Sequence, residues 1–398
     1  MLLLKQLFVK RSAIFFTIFC SIVLFSACDN NKSNVDETTT NTTDSTKGGP
    51  INNDPLFKKY QLDKIKLPAG FKINVFAQVE KARSLCVSPA GTVFVGTKGD
   101  KVYAITSKDS VKVYQVASGL HAPNGVAFKD GNLYIGATST IYRLDNIESN
   151  LTNPPKPVVL YNKYPSDDHH GLRFIAFGPD GKLYVPVGAP CNVCDPKVPY
   201  ASITRMNPDG TGYEVFARGV RNTVGFDWHP GTKEIWFTDN GRDNLGDNIP
   251  NDELNAASKS GLHFGYPYCH QGNILDEEYG KGKDCSNYVA PKALLGAHVA
   301  SLGMRFNNQK MFPSEYNNAI FIAEHGSWNR STPIGYRIAV VKMDDNGNAK
   351  EPEVFGEGWL QNVRDVIGRP VDVQFLSDGS MLVSDDYNGV IYRITYEK

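Results

Sequence analysis

Along this chain, short runs of alternating large apolar residues stop abruptly in small polar clusters, and the same phrase keeps returning. Its fullest instance runs from Arg221 to Asn244. An apolar strand over Val224 to Trp228 meets a Pro230-Gly231 turn, and a second strand over Glu234 to Thr238 ends in Asp239, Asn240, Gly241, Arg242 and Asp243. A strand that stays apolar until it reaches such a cluster belongs to a buried sheet that opens onto a polar mouth. Related strand pairs occupy Gly91 to Gly96 with Lys101 to Ile105, Gly131 to Gly136 with Thr140 to Leu144, and Gly181 to Pro186 with Ser202 to Met206. Two more are Asn318 to Ala323 with Tyr336 to Val341, and Gly379 to Ser384 with Gly389 to Ile394. No long helical period intervenes. Six units, none able to bury both faces of its own small sheet, predict radial stacking into an all-β, six-bladed β-propeller. A two-sheet sandwich is the alternative, and the repetition of one strand-turn-strand phrase argues against it. Loops swell after the third, fourth and fifth units, and long loops in a compact domain are usually functional, so they are expected to crowd one face.

The ends of the chain read differently. Residues 1–28 carry Lys5, Lys10 and Arg11, an apolar run from Ala13 to Phe25, then Ser26 and Ala27 directly before Cys28. This is the pattern of a secretory signal ending in a bacterial lipoprotein processing site, so the mature protein is expected to be exported and membrane-anchored through lipid on Cys28. Residues 29–54 are almost all Asn, Thr, Ser, Asp and Lys, cannot bury enough surface to offset their ordering entropy, and are expected to form a tether. The propeller is expected over 55–398. Lys and Arg total 42 against 42 Asp and Glu, with no basic tract in the mature part, which excludes nucleic acid as a partner class. In an oxidising compartment, Cys269 with Cys285 and Cys191 with Cys194 are expected disulfides, leaving Cys86 free. No His follows the Cys191-Asn-Val-Cys194 run, which rules out haem attachment, and a loop staple is preferred there over a redox or zinc role.

Chemistry-bearing residues sit where strands end. Asp167-Asp-His-His-Gly-Leu-Arg173 precedes a strand, and other units contribute Arg221, Asn222, Asn240, Gly241, Arg242, His298, His325 and Arg369 at comparable loop positions. Histidine serves proton abstraction, Arg and Asn bind anionic or carbonyl oxygens, and backbone carbonyls of a Gly-containing loop hold hard cations. There is no nucleophile elbow, phosphate loop or dinucleotide fingerprint, which disfavours hydrolytic and nicotinamide chemistry.

The same loops carry the segments His169-His-Gly-Leu-Arg, Gly219-Val-Arg-Asn, Thr238-Asp-Asn-Gly-Arg-Asp, Asp252-Glu-Leu-Asn, Glu324-His-Gly-Ser-Trp-Asn-Arg-Ser and Gly368-Arg-Pro-Val-Asp-Val. Together they resemble the glucose/sorbosone dehydrogenase family of soluble sugar dehydrogenases, most closely its L-sorbosone dehydrogenase branch. The resemblance runs from about Leu67 to the C-terminus. It implies a six-bladed propeller that uses pyrroloquinoline quinone (PQQ) with calcium to oxidise a sugar or sugar aldehyde, passing electrons to a quinone or cytochrome acceptor. By motif, His170 resembles the base that removes the hydroxyl proton, and Arg369 resembles a catalytic arginine over the quinone plane. Arg221, Asn222, Asn240 and His325 take cofactor-binding positions, and the carbonyls of Gly241 and Arg242 resemble the calcium ligands. The soluble glucose dehydrogenases have Asp where this chain has His169, Pro where it has Arg242, and a second late arginine where it has Val371, so glucose itself is not implied. Two other readings stand beside this one: a cofactor-free propeller that binds carbohydrate or protein, and a metal-dependent lactonase using Asp239, Asn240 and Asp243. Trp228, Trp236 and Trp359 are expected in the core, Asp252-Glu253 in a solvated loop or a structural calcium site, and Trp328 in a loop lining the mouth.

Overall fold

In five of the six units, the strand pair read from the sequence forms the two middle strands of a four-stranded sheet. The computed structural model describes residues 54–397; the leader, Cys28 and the tether as far as Asn53 lie outside the described residues. Blade 1 contains Ala82–Val87, Val93–Thr97, Val102–Thr106 and Lys112–Ala117; blade 2 contains Gly125–Lys129, Asn132–Gly136, Ile141–Leu144 and Val158–Tyr161. Blade 3 contains Ala176–Phe177, Leu183–Val187, Ser202–Met206 and Glu214–Arg218; blade 4 contains Phe226–Trp228, Ile235–Asp239, Asn251–Ala257 and Ala293–Ala297. Blade 5 contains Ser301–Phe306, Ile320–Glu324, Arg337–Val341 and Glu353–Gly356. Blade 6 contains Pro370–Phe375, Met381–Asp385 and Val390–Tyr396, completed on its outside by Phe71–Gln78 from the other end of the chain. The chain is a six-bladed β-propeller. Among the described residues the only α-helix is Pro55–Lys59, capped by the Asp54 carboxylate, which accepts from the Leu56 amide at 2.9 Å.

The first strands of neighbouring blades pack against one another around the axis. There the blades converge so closely that only glycine fits. A methyl group at Gly225 would stand 2.3 Å from the Leu302 carbonyl oxygen, and one at Gly303 would stand 2.1 Å from a carboxylate oxygen of Asp372. Apolar side chains of the middle strands fill the spaces between blades; Phe226, Phe237 and Phe264, for example, pack with Phe174 and Tyr184 across blades 3 and 4. Trp236 and Trp359 are buried and Trp228 is half-buried, as the sequence led one to expect.

Antiparallel alternation puts the links between blades and the loops between second and third strands on one face, here called the upper face. The long loops 188–201, 240–250 and 325–336 are of this second kind. The segment between Ala257 and Ala293 starts on the lower face. It climbs by adding Leu262–His263 in parallel to Glu214–Arg218, and so carries Tyr266, His270 and Asp276 to the upper loops.

Blade 6 closes the ring by pairing the two ends of the described chain, from Phe71 opposite Tyr396 to Gln78 opposite Val390. Phe71 anchors that strand among Phe312, Tyr316, Phe355 and Tyr396, with ring centroids 4.8–5.7 Å apart. Phe71→Ala is expected to cost about 3 kcal/mol, read as a lower urea midpoint, because it empties the hub of this cluster.

Candidate active site

The polar groups at the top of the axis form a closed ring of hydrogen bonds through all six blades. The Nδ1–H of His170 donates to the Ala189 carbonyl at 2.8 Å, and the Ala189 amide donates to the Arg221 carbonyl at 2.8 Å. The Asn240 amide donates to the Asn222 carbonyl at 3.2 Å, and its side-chain Nδ2 donates to the Ser301 carbonyl at 2.7 Å. The His325 amide donates to the Ala300 carbonyl at 2.9 Å, and its ring Nε2–H to Asp386 at 2.8 Å. Arg83 joins Asp386 (2.9 Å) to the Asn124 side chain (2.8 Å), and Asn124 donates to the Arg173 carbonyl at 2.9 Å. Arg173 closes the circle, its Nη1 donating to the His170 carbonyl at 3.1 Å.

His170 occupies the left-handed region with φ 51°, a conformation that costs an ordinary residue on the order of 1–3 kcal/mol and persists only where the surroundings enforce it. Arg173, fully buried, enforces it by also donating to the carbonyls of Thr138 and Pro165. His169 is exposed beside it. Since a carbonyl only accepts, the Ala189 contact fixes the His170 tautomer and leaves Nε2 with a free lone pair. Burial, then the Arg221 guanidinium and His169, push the His170 pKa down to about 2, so the ring is neutral throughout the physiological range.

The other positions singled out in the sequence divide into two groups. Asn222 is half-buried and its Nδ2 meets Asn240 at 3.2 Å; Arg221 is buried, with its fork turned inward onto Asn192, Asp243 and the Asn240 carbonyl. Across the mouth, Arg369 donates to the carbonyls of His325 and Gly326 at 3.0 Å each and lies over the Tyr336 ring. His325 is pushed down to about 4 by burial against the opposing pull of Asp386. Burial would raise Asp386, but His325, Arg83 and Lys98 outweigh it and hold its carboxyl far below the usual range. His298 stands apart from the mouth: its Nε2–H is committed to the carbonyls of Gly246 and Ile249, which makes it a loop clamp.

The structure differs from expectation at Asp252-Glu253, which is buried on a strand of blade 4. Its two side chains do diverge. Asp252 accepts from the amides of Gly241 (3.0 Å) and Ser301 (2.9 Å), while Glu253 accepts from the Gln271 amide and the Asn255 side chain. With Asp239 they make three buried carboxylates without a side-chain ion pair, all pushed upward by burial. Directly above, the carbonyls of Gly241 and Arg242 accept no hydrogen bond among the described residues. Among those residues no three His, Cys, Asp or Glu side chains are placed to chelate a metal, so a cation here would rely on main-chain oxygens, beside buried carboxyl groups that its charge would draw toward the ionised form. The residues therefore fit calcium on one side of the mouth and a planar polyanion between it and the cations Arg369 and Lys98. Arg173, Asn192 and Asp386 were not assigned from the sequence; the Arg that closes the His-His-Gly-Leu-Arg motif and the Asn between two cysteines were the available signals.

The TrAA12-like family model matches residues 65–397. The chain belongs to that family. TrAA12-like proteins are propellers of the PQQ-dependent sugar dehydrogenase type, so the family-level resemblance in the sequence holds, and this chain is an oxidoreductase-type sugar propeller. An uncharacterised protein of Borreliella burgdorferi is 37% identical over 348 residues, 84% of this chain and 91% of its own length. Among solved structures, the calcium structure of a Trichoderma reesei protein of carbohydrate-active enzyme family AA12 matches with TM-score 0.73 and 20% identity, over 84% of this chain and 97% of its own. The holo PQQ domain of Coprinopsis cinerea pyranose dehydrogenase matches with TM-score 0.71 and 18% identity, over 83% and 97%. The apo soluble aldose sugar dehydrogenase of Escherichia coli matches with TM-score 0.63 and 16% identity, over 82% and 100%.

In this TrAA12-like propeller Gly188 separates His170 from Asn222: a methyl there would stand 2.5 Å from the His170 Cβ and 3.1 Å from the Asn222 Oδ1. Gly188→Ala is expected to lower kcat/KM for sugar oxidation about a hundredfold, since a displacement near 1 Å is enough for that. The same variant is expected to lose some thermal stability as well, because the atoms met are the His170 Cβ and carbonyl rather than the end of a flexible side chain, so its melting temperature is read beside the kinetics.

Proposed function

We propose that this chain oxidises an aldose or a sugar-derived aldehyde, taken as its hydrate, with His170 removing the hydroxyl proton at Nε2. The observation that carries this reading is the Ala189 contact, which makes Nε2 an unprotonated acceptor on a face with free carbonyls at Gly241 and Arg242. When bound, PQQ would supply the two-electron sink that no side chain provides. Gly241 and Arg242 would hold the calcium through their carbonyls; Asn222, Asn240 and His325 would border the quinone; Arg369 would place positive charge beside it. Arg221 supports from below, holding the Asn240 carbonyl and the Asp243 carboxylate. The neutral His170 ring takes up the substrate proton as the neighbouring carbon is oxidised, and Arg173 keeps that ring aimed by holding its carbonyl. The residues at His169 and Val371, where the soluble glucose dehydrogenases carry Asp and Arg, argue against glucose itself as the substrate. The disulfides Cys191–Cys194 and Cys269–Cys285 suit an oxidising compartment, which supports export and anchoring through Cys28 close to a quinone or cytochrome acceptor.

The test is reconstitution of residues 53–398 with PQQ and calcium, following quinone absorbance while sugars and aldehydes are added. Stoichiometric uptake followed by substrate-dependent bleaching supports the reading; absence of uptake with calcium in excess overturns it. His170→Asn is expected to leave quinone uptake intact and to cut turnover by about 10²–10⁴-fold.

The pH dependence follows from the same ring. The folded pKa of His170 lies below its ordinary value of 6.5, so as pH falls the unfolded chain takes up that proton first. The contribution of His170 to stability should therefore decline below about pH 6.5, with His170→Asn flattening that part of the slope in urea titrations; His325, His263 and His270 act in the same sense, and the buried carboxyls Asp239, Asp252, Glu253 and Glu324, raised by burial, act in the opposite one.

A further inference from the structure

The loop closed by the Cys191–Cys194 disulfide lies against the 240–243 loop, and Asn192 makes the connection. Its Oδ1 accepts from the Asp243 amide at 2.8 Å, and its Nδ2 donates back to the Asp243 carbonyl at 3.0 Å. That reciprocal pair imitates one rung of a β-ladder. The Asp243 N–H belongs to the same planar peptide unit as the Arg242 carbonyl, and in a trans peptide the two point in opposite directions. Fixing the N–H toward Asn192 therefore aims the Arg242 oxygen away from it. The same side chain and its carbonyl accept Arg221 Nη2 at 3.0 Å and Nε at 2.9 Å, so one residue holds both the support arginine and the carbonyl. Asn192 is itself held from behind: Tyr266 Oη lies 3.4 Å from the Cys191 sulfur and accepts from the Cys194 amide at 3.1 Å.

We propose that Asn192, fixed by the Cys191–Cys194 disulfide, is a positioning residue that orients the Arg242 carbonyl for a divalent cation. The proposal rests on the calcium reading given above. Without the disulfide the four-residue loop has more conformations to lose, and without the Asn192 amide the 242–243 peptide is free to rotate, so in both cases the cation must order its own ligand. The arginine side chain takes no part, since it is turned away onto Asp276.

The experiment is calorimetric titration of calcium alone into the quinone-free protein. Asn192→Ala and the double variant Cys191→Ser, Cys194→Ser are each expected to weaken calcium binding about 10–100-fold, the range seen when groups behind a metal ligand are removed. Asn192→Asp keeps the acceptor for the Asp243 amide but loses the donor to the Asp243 carbonyl, and is expected to recover part of the affinity lost in Asn192→Ala. Turnover of the reconstituted variants should return toward wild type as calcium is raised; because calcium would stabilise the folded chain as well, the affinity measured on folded protein decides between the two causes. Thermal unfolding without calcium reports any folding loss separately. Unchanged calcium affinity in Asn192→Ala, with the wild type binding normally, overturns the proposal and leaves the dehydrogenase reading standing. Failure of the wild type to bind calcium overturns both, while quinone uptake in the parallel reconstitution shows which part of that reading has failed.

Discussion

At the centre of a propeller, six inner strands bring their backbone groups to one narrow axis, where neither water nor a neighbouring strand can satisfy all of them. An unpaired buried amide or carbonyl costs on the order of 1–3 kcal/mol, so the side chains that meet these groups are held in place by the fold itself. In this chain they form the circle that runs from His170 through Asn240, His325, Asp386, Arg83 and Asn124 and back through Arg173. Blade closure and site geometry are one constraint. The left-handed backbone at His170 is tolerated because Arg173 binds its carbonyl, and Arg173 is in turn fixed by blades 1 and 2 through Asn124 and Thr138.

The circle also separates charge. On the side of blade 4, Asp239, Asp252 and Glu253 are buried and satisfied mostly by amides. On the side of blades 6 and 1, the Asp386 carboxylate is surrounded by Arg83, Lys98 and His325, with Arg369 beside them, while the neighbouring buried Asp385 is met by Tyr392 and Asn388. Amide donors satisfy a carboxylate geometrically and leave most of its field in place, because a dipole cancels less than a full charge. The upper face therefore gathers buried carboxyl groups, raised by burial, near the Gly241 and Arg242 carbonyls, and cationic side chains across the mouth. A divalent cation at the first edge would draw those carboxyl groups toward their ionised form, and anionic oxygens suit the second.

The middle strands were legible because they are buried on both sides and so read as unbroken apolar alternation, as in Val93–Thr97 and Met381–Asp385. The outer strands were not. Lys112–Ala117 and Val158–Tyr161 expose much of their length and carry no such pattern. The innermost strands are uneven: Ala176–Phe177 and Phe226–Trp228 are too short to show a period, and Gly125–Lys129 and Ser301–Phe306 carry glycines at the axis, which conceals them in a reading based on periodicity. Within the site, residue types and loop positions were visible, but partners were not. Nothing local in Asp252-Glu253 announces burial, because the amides that receive Asp252 come from Gly241 and from Ser301, forty-nine residues away. Arg221 reads as a ligand-binding fork in sequence, and only the return of the chain at Asn192 and Asp243 shows where its donors go.

The places where this chain differs from the soluble glucose dehydrogenases become physically simple once the partners are known. A main-chain carbonyl is supplied equally by proline or arginine, and at Arg242 the extra side chain is absorbed by Asp276, which also accepts from His270. Val371 is buried with Val224 and Leu302 in a small apolar plug at the axis, so an arginine is replaced there by packing rather than by another cation. His169 is exposed and lies tilted against the ring it precedes, the two centroids 4.0 Å apart, where a positive charge on one ring disfavours protonation of the other. None of the three breaks a hydrogen bond of the circle. Two of them alter what lies above and inside it, the packing at the axis and the group beside His170, while the hydrogen bonds that hold the His170 ring and carbonyl stay the same.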